Sequence, residues 1–136
     1  MFTAIPIIER TTSTIITLEM AATAVAGGQA TSATFGPPAG FRWLVQYLGV
    51  AINFTAAPAA GDRAAMLMQV MRVAVAYEVL GVEVDDPFGL EPLSRGEGCL
   101  FIIDDTMGFR IVTDADASSV GAAGLGNVIA MEYEPF

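Results

Sequence analysis

The chain has 136 residues, a length that fits one domain with one hydrophobic core. Hydrophobic residues make up 54% and charged residues 15%, with a mean hydropathy of +0.57, which is more apolar surface than a small domain buries by itself, so we expect partner chains to cover part of it. The chain has six arginines, no lysine and no histidine, against 15 acidic residues, which gives a net charge of −9. Six scattered arginines do not supply the basic stripe that a nucleic-acid-binding protein needs, so direct binding to DNA or RNA is not expected.

The first 40 residues alternate β-rich segments with glycine and proline breaks. Thr11 to Leu18 is rich in β-branched residues and predicts a strand, and Ala30 to Phe35 predicts a second, short one. Gly27-Gly28 marks a turn between them. The segment 36–40 contains two prolines, which cannot donate to a β-ladder, and it is therefore predicted to interrupt regular structure.

Phe41 to Phe54 is the clearest predicted strand of the chain. Both of its faces are apolar, which predicts cover on both sides. One face is expected to carry Leu44, Leu48, Val50, Ile52 and Phe54, and the other Trp43, Val45, Tyr47 and Ala51.

A proline- and glycine-containing loop, 55–62, leads to a second long apolar segment, 63–84. The start of this segment has good helix propensity, and Asp62 is a suitable helix cap. However, 70–75 is β-rich and the segment shows no 3.6-residue period, so we favour a strand bent near Gly81. The two long segments are expected to form a central strand pair covered on both sides.

The rest of the chain reads as short strands and loops. In order, we predict a loop at 85–98, a buried strand at 99–103, a hairpin-like connection at 104–108, its partner strand at 109–113, a flexible segment at 114–126 and a closing strand at 127–133. The predicted fold class is all-β: one antiparallel β-sandwich or jelly-roll-like domain over 1–136.

Few residues are suited to catalysis. Without histidine or lysine, general acid–base chemistry falls to carboxylates, and no nucleotide-binding, GxSxG or HExxH motif is present. Cys99, the only cysteine, lies in an apolar run and has no histidine to activate it, so we expect a buried free thiol. We therefore expect no enzyme, no catalytic residue and no cofactor.

Three acidic pairs and four apolar side chains are the remaining candidates for binding. Asp85-Asp86, Asp104-Asp105 and Asp114-x-Asp116 lie in predicted loops, where oxygen ligands for Ca²⁺ can gather; none has EF-hand spacing, and we favour ordinary turn residues and no metal site. For Met66, Met68 and Met71 we favour core filling over an adaptable binding surface, since strand alternation puts Met71 opposite the other two. For Trp43 we favour a core anchor over a ligand site.

No membrane span or targeting segment is predicted. The N-terminus lacks a basic region, and the longest apolar stretch, 64–84, is interrupted by Arg72, Glu78 and Glu83.

Three short segments carry a resemblance to a known group of proteins. They are Pro-Pro-Ala-Gly-Phe-Arg-Trp-Leu-Val at 37–45, Ala-Ala-Gly-Asp-Arg at 59–63 and the apolar ending 128–133. In this pattern the chain resembles small structural proteins of tailed-phage virions. The resemblance implies a β-sandwich capsid decoration or minor capsid subunit, carried in many copies on the virion, without cofactor or catalytic residue. The chain departs from the pattern in its unusually apolar second long strand.

The expected function is thus structural, in a bacteriophage particle. The expected partners are copies of the chain itself, in an oligomer such as a trimer, and a major capsid protein, with no direct contact to nucleic acid or membrane. One alternative is a head–tail connector, tail or fibre-attachment component, and another is a carbohydrate- or Ca²⁺-binding β-sandwich module.

Apolar residues near the two ends are the predicted interface. Segments 1–9 and 133–136 are expected to act as contact arms, able to add a strand to a neighbouring subunit or else to dock on their own core. The arm residues are Phe2, Ile5, Ile7, Ile8, Tyr133 and Phe136.

Overall fold

The computed structural model describes residues 13–135, which form eight β-strands and one 3-10 turn. The strands are β1 (Ser13–Ala24), β2 (Gln29–Thr31), β3 (Arg42–Phe54), β4 (Arg63–Arg72), β5 (Val75–Asp85), β6 (Leu93–Ile103), β7 (Met107–Asp114) and β8 (Ala122–Tyr133), with the 3-10 turn Asp86–Phe88 between β5 and β6. Within this range, no helix is long and apolar enough to cross a membrane.

The strands make two antiparallel four-stranded sheets. Sheet A has the order β1-β8-β3-β6, and sheet B has the order β2-β7-β4-β5. Every connection crosses from one sheet to the other except the β4–β5 hairpin, as in a jelly roll. The predicted fold class is confirmed. The prediction that 1–136 is one domain with terminal arms stays a prediction.

The hydrophobic core lies between the sheets and follows the two-residue period of each strand. In β4, Ala64, Met66, Met68 and Val70 are buried, and the residues between them face outward. Met66 and Met68 therefore fill the core, as predicted, while Met71 points away from it. β7 contributes Phe109, Ile111 and Thr113 from the same sheet, and β8 contributes Ala122, Val128 and Ala130 from the other.

A β-bulge in β3 changes which side chains reach the core. The register with both neighbouring strands shifts between Val45 and Tyr47, so the alternation reverses at Gln46. Trp43 and Val45 are therefore buried on the same face as Leu48. The faces predicted for Leu44, Trp43 and Val45 were wrong, because strict alternation does not allow for the extra residue of the bulge.

The two long apolar segments do not form a central pair, contrary to prediction. β3 lies in sheet A and β4 in sheet B, on opposite sides of the core, and the outward side chains of both strands are only half-buried. The second segment is also two strands rather than one bent strand. Its chain reversal is at Val73-Ala74, where Val73 has a φ of 57°, and not at Gly81.

The segment after β5 also differs from its prediction. β6 begins at Leu93, inside the predicted loop, and it pairs with β3; β7 pairs with β4 and β2, so β6 and β7 do not form a hairpin. β6 is an edge strand, and Leu100 and Ile102 are 76% and 50% exposed rather than buried. The closing strand β8 is longer than predicted, since it begins at Ala122.

Candidate interaction surface

The outer face of sheet A carries an unusual set of side chains. The strand registers place sixteen outward positions in four transverse rows, each with one residue from β1, β8, β3 and β6 in that order. The rows are Ile15–Met131–Leu44–Ile102, Thr17–Ile129–Tyr47–Gly98, Glu19–Asn127–Gly49–Gly96 and Ala21–Leu125–Ala51–Ser94. We call these sixteen residues the sheet A face.

The sheet A face is apolar and almost free of charge. Ile15 and Leu125 are each 57% exposed, and Ile102 is 50% exposed. Glu19 is the one acidic or basic residue among the sixteen positions. Scattered apolar residues are normal on a protein surface, but a contiguous apolar patch marks an interaction site.

The outer face of sheet B carries more charge than the sheet A face. Two of its rows carry charge, Asp114–Ala65–Glu83 and Arg110–Gln69–Glu78, and the uncharged row Val112–Leu67–Gly81 lies between them. The Arg110 Nε donates to the Gln69 side chain over 2.9 Å. The Gln29 side chain donates to Asp114 over 3.2 Å. Since both sheets pack the same core, this contrast does not come from the fold and indicates that the two outer faces meet different surroundings.

A groove of about 640 Å³ crosses the sheet A face. All four strands line it, and Gly49 and Gly96 lie side by side in the same row. Its polar side chains include Glu19, Asn127, Ser94 and Arg95. The volume lies in the range of ligand-binding clefts, about 300–1,000 Å³.

Tyr47 covers the two glycines that floor the groove. A Cβ at Gly96 would lie 1.9 Å from the Tyr47 hydroxyl oxygen, and a Cβ at Gly49 would lie 2.1 Å from the Asn127 Oδ1. The tyrosine ring and the asparagine amide therefore pack directly on the backbone where other residues would carry side chains. The glycines allow the aromatic ring to lie low on the sheet.

The predicted acidic pairs lie partly in turns and partly at strand ends, since Asp85 ends β5 and Asp114 ends β7. Asp104 accepts hydrogen bonds from the N–H and the hydroxyl of Thr106, and Asp105 accepts one from the Gly40 N–H over 2.8 Å. Asp114 Oδ1 accepts from the Asp116 N–H over 2.8 Å. These bonds to Asp104, with the hydroxyl contributing most, hold its pKa below the ordinary value of 3.8. In residues 13–135, no three His, Cys, Asp or Glu side chains are grouped to hold a metal ion.

Trp43 is a core anchor, as predicted. Its ring is 5% exposed and stacks on Phe109 with the ring centres 6.5 Å apart, and its Nε1 donates to Glu132 over 2.9 Å. Cys99 is a free, half-buried thiol on β6, whereas a fully buried one was predicted. Burial, together with the neighbouring Glu97 charge, raises the Cys99 pKa, which disfavours the thiolate that a nucleophile needs.

The predicted arm residues fall mostly outside the described part of the chain. Phe2, Ile5, Ile7, Ile8 and Phe136 lie outside residues 13–135. Tyr133 is described: it ends β8, pairs with Ser13 and Arg42, and is 3% exposed. The role of these six residues at an interface stays a prediction.

The sheet A face itself was not predicted. Its members come from four strands far apart in sequence, and only the strand order brings them together. The available signal was the lack of charge: apart from Glu19, the rows in β1, β3, β6 and β8 contain no Asp, Glu or Arg.

Comparisons with known proteins support the fold and leave the family open. No family model matches the chain, and no curated protein matches it by sequence. A chain in the structure of Cocksfoot mottle virus is similar, with a TM-score of 0.52, 8% identity and coverage of 92% of this chain and 84% of that one.

Two further solved structures have lower TM-scores. The acid-stable capsid structure of Helicobacter pylori bacteriophage KHP30 has a TM-score of 0.47 and 12% identity, covering 92% of this chain and 95% of that one. The Yersinia pseudotuberculosis-derived mitogen has a TM-score of 0.46 and 12% identity, with 86% of each chain covered. The structures similar to this chain thus include capsid proteins together with proteins of other kinds.

Proposed function

We propose that this chain is a structural subunit of a virus particle, a capsid decoration or minor capsid subunit, and that it is not an enzyme. The observation that carries the proposal is the apolar, nearly uncharged sheet A face on a chain with a net charge of −9. A contiguous apolar face of this kind marks a surface that binds a partner. A subunit that packs in many copies on a particle has such partners.

Two further features support a role on the outside of a particle. The charged outer face of sheet B is suited to solvent, and the net charge opposes contact with packaged nucleic acid. The jelly-roll fold, shared with a chain of Cocksfoot mottle virus, and the resemblance of segments 37–45 and 59–63 to phage virion proteins are consistent with this role.

The test is the composition of the particle. Mass spectrometry of purified particles, made by the virus whose genome encodes the chain, is expected to find it in many copies. Imaging of the same particles separates a decoration subunit, spread over the capsid, from a connector or tail component at one vertex. Absence of this chain from the purified particles would contradict the proposal.

The arms give a first testable prediction. Deleting residues 1–9 removes the arm residues Phe2, Ile5, Ile7 and Ile8. We expect it to weaken binding to assembled capsids more than it lowers the free energy of unfolding. Sedimentation with capsids and urea unfolding measure the two effects. Equal losses in both would show that the segment belongs to the domain's own core.

One specific feature favours a second candidate, a carbohydrate-binding module. Tyr47 gives the groove an aromatic platform, and Glu19, Asn127 and Arg95 surround it with hydrogen-bonding groups. Sugar rings stack on aromatic faces, and the groove is long enough to cross the whole sheet. A glycan array with the intact protein and with Tyr47→Ala tests it; a signal lost in the variant favours this function, and no signal with either protein excludes it.

A further inference from the structure

We propose that a second copy of this chain covers the sheet A face. The proposal rests on the proposed function only in that both need a covered face, and it names the partner surface that the particle role leaves open. It also assigns the sheet A face, rather than the terminal arms alone, as the contact.

Charge is the first argument for a second copy. Two copies of a chain with a net charge of −9 repel each other wherever their carboxylates approach. The sheet A face presents one carboxylate in sixteen positions, so two copies can meet there with little like-charge contact. Arg95 also lines the groove that contains this carboxylate, Glu19, and its guanidinium pairs with Glu97 on the same strand over 2.9 Å.

The size of the face is the second argument. Four strands spaced about 4.8 Å apart and four rows spaced about 6.8 Å apart give a flat footprint on the order of 500 Å². Two such faces bury roughly 1,000 Å² in total, which reaches the lower limit for a specific protein interface. Side-chain relief and Leu100, 76% exposed beside the rows on β6, add to this area.

The shape of the face is the third argument. The glycine-floored groove lies between the row that contains Tyr47 and the row that contains Leu125. Leu125 projects from the centre of its row with 57% of its surface exposed. A face with both a ridge and a groove can pack against its own copy, because each supplies what the other lacks.

The experiment measures the mass of the full-length protein over a range of concentrations by sedimentation velocity. We expect the wild type to form an oligomer, and Leu125→Glu to weaken association at least tenfold by placing a charge inside the contact. Ile15→Glu, in another row and equally exposed, is a second variant in case the first one folds poorly. The matched control is Val75→Glu on β5, where the valine is 51% exposed and lies outside the sheet A face; it is expected to associate like the wild type.

The outcomes separate this proposal from the particle role. A wild type that is monomeric at every concentration, or equal weakening by Leu125→Glu and Val75→Glu, would overturn the proposal. Association that persists in Leu125→Glu but is lost on deleting residues 1–9 would also overturn it, by assigning the contact to the arm. A monomer that binds capsids contradicts only the second-copy proposal, whereas an oligomer absent from particles contradicts only the particle role.

Discussion

Asp62 shows how a single side chain holds one end of the sandwich together. Its carboxylate accepts hydrogen bonds from the Ala59 N–H at 2.8 Å, the Ser119 N–H at 2.9 Å and the Ser119 hydroxyl at 2.6 Å. It therefore ties the loop before β4 to the loop before β8. These bonds, the Ser119 hydroxyl first, hold the Asp62 pKa below its ordinary value of 3.8.

The lowered Asp62 pKa predicts how stability depends on pH. A carboxyl with a lower pKa in the folded state stabilises the fold above the unfolded-state pKa, and this contribution is lost as pH falls through the folded-state value. Asp62→Asn should therefore lower the unfolding midpoint near pH 7, and the difference from the wild type should shrink below about pH 4. Urea unfolding between pH 3 and 7 measures this. Glu91→Gln, at an exposed loop position, is the control; an Asp62→Asn difference that does not change with pH would contradict the account.

Gly36 lies where a side chain would collide with the backbone at the start of β7. A Cβ there would lie 2.1 Å from the Met107 carbonyl oxygen, beside the bridge between Phe35 and Phe109. Gly36→Ala should therefore lower the free energy of unfolding by about 1–3 kcal/mol, because the backbone itself must move. Gly98→Ala, whose Cβ would meet nothing within 4 Å, should stay within about 0.5 kcal/mol of the wild type. Equal unfolding midpoints in urea for the two variants would refute the assigned contact.

The β4–β5 hairpin is the element that the sequence least reveals. Val73 is the one non-glycine residue with positive φ in the described range, 13–135, and it is 87% exposed. A β-branched residue rarely adopts this conformation, and Val73-Ala74 lacks the Gly, Asn or Asp that mark such turns. The apolar segment 63–84 therefore predicted one long strand. The turn within it is imposed by the pairing of β4 with β5 and not by its own residues.

Relief of this turn predicts a gain in stability. Val73→Gly removes a left-handed backbone cost of about 1–2 kcal/mol. The extra conformational entropy of glycine in the unfolded state costs about 0.5–1 kcal/mol. The net gain in the free energy of unfolding is therefore roughly 0.5–1 kcal/mol. Ala74→Gly adds only the entropy cost and should be less stable than the wild type. Urea unfolding ranks the three proteins, and a Val73→Gly variant below the wild type would contradict the conformation of Val73.

Elements with strong local patterns could be predicted, whereas the features set by pairing could not. The β-branched start of β1, the apolar β3 and the proline break after residue 36 all appear in the structure. The bulge at Gln46 could not be predicted, because an extra residue in one strand is visible only against its partners. The strand predicted at 99–103 is shorter than β6, because Gly96 and Gly98 are typical of loops. In the structure, Gly96 makes room for Tyr47.

At the scale of the whole molecule, composition predicted that apolar surface was left over, and the fold shows where it lies. We predicted that the excess lies on the two long apolar segments together. Instead, a contiguous part of it lies on the outward side of sheet A, while the outward rows of sheet B carry more charge. Strand order decides this, since each row of the sheet A face combines residues from β1, β8, β3 and β6. A sequence read in order does not show which outward residues become neighbours.

The most direct test of the packing account is hydroxyl-radical footprinting of the full-length protein, assembled and dilute. Leu125 and Ile102 on the sheet A face have nearly the same exposure as Tyr77 and Val75 on β5, so the two pairs form a matched comparison. If a second copy covers the sheet A face, assembly slows labelling of Leu125 and Ile102 several-fold and leaves labelling of Tyr77 and Val75 unchanged. Labelling of Leu125 and Ile102 at the same rate in both states, or slowing only at Tyr77 and Val75, would contradict it.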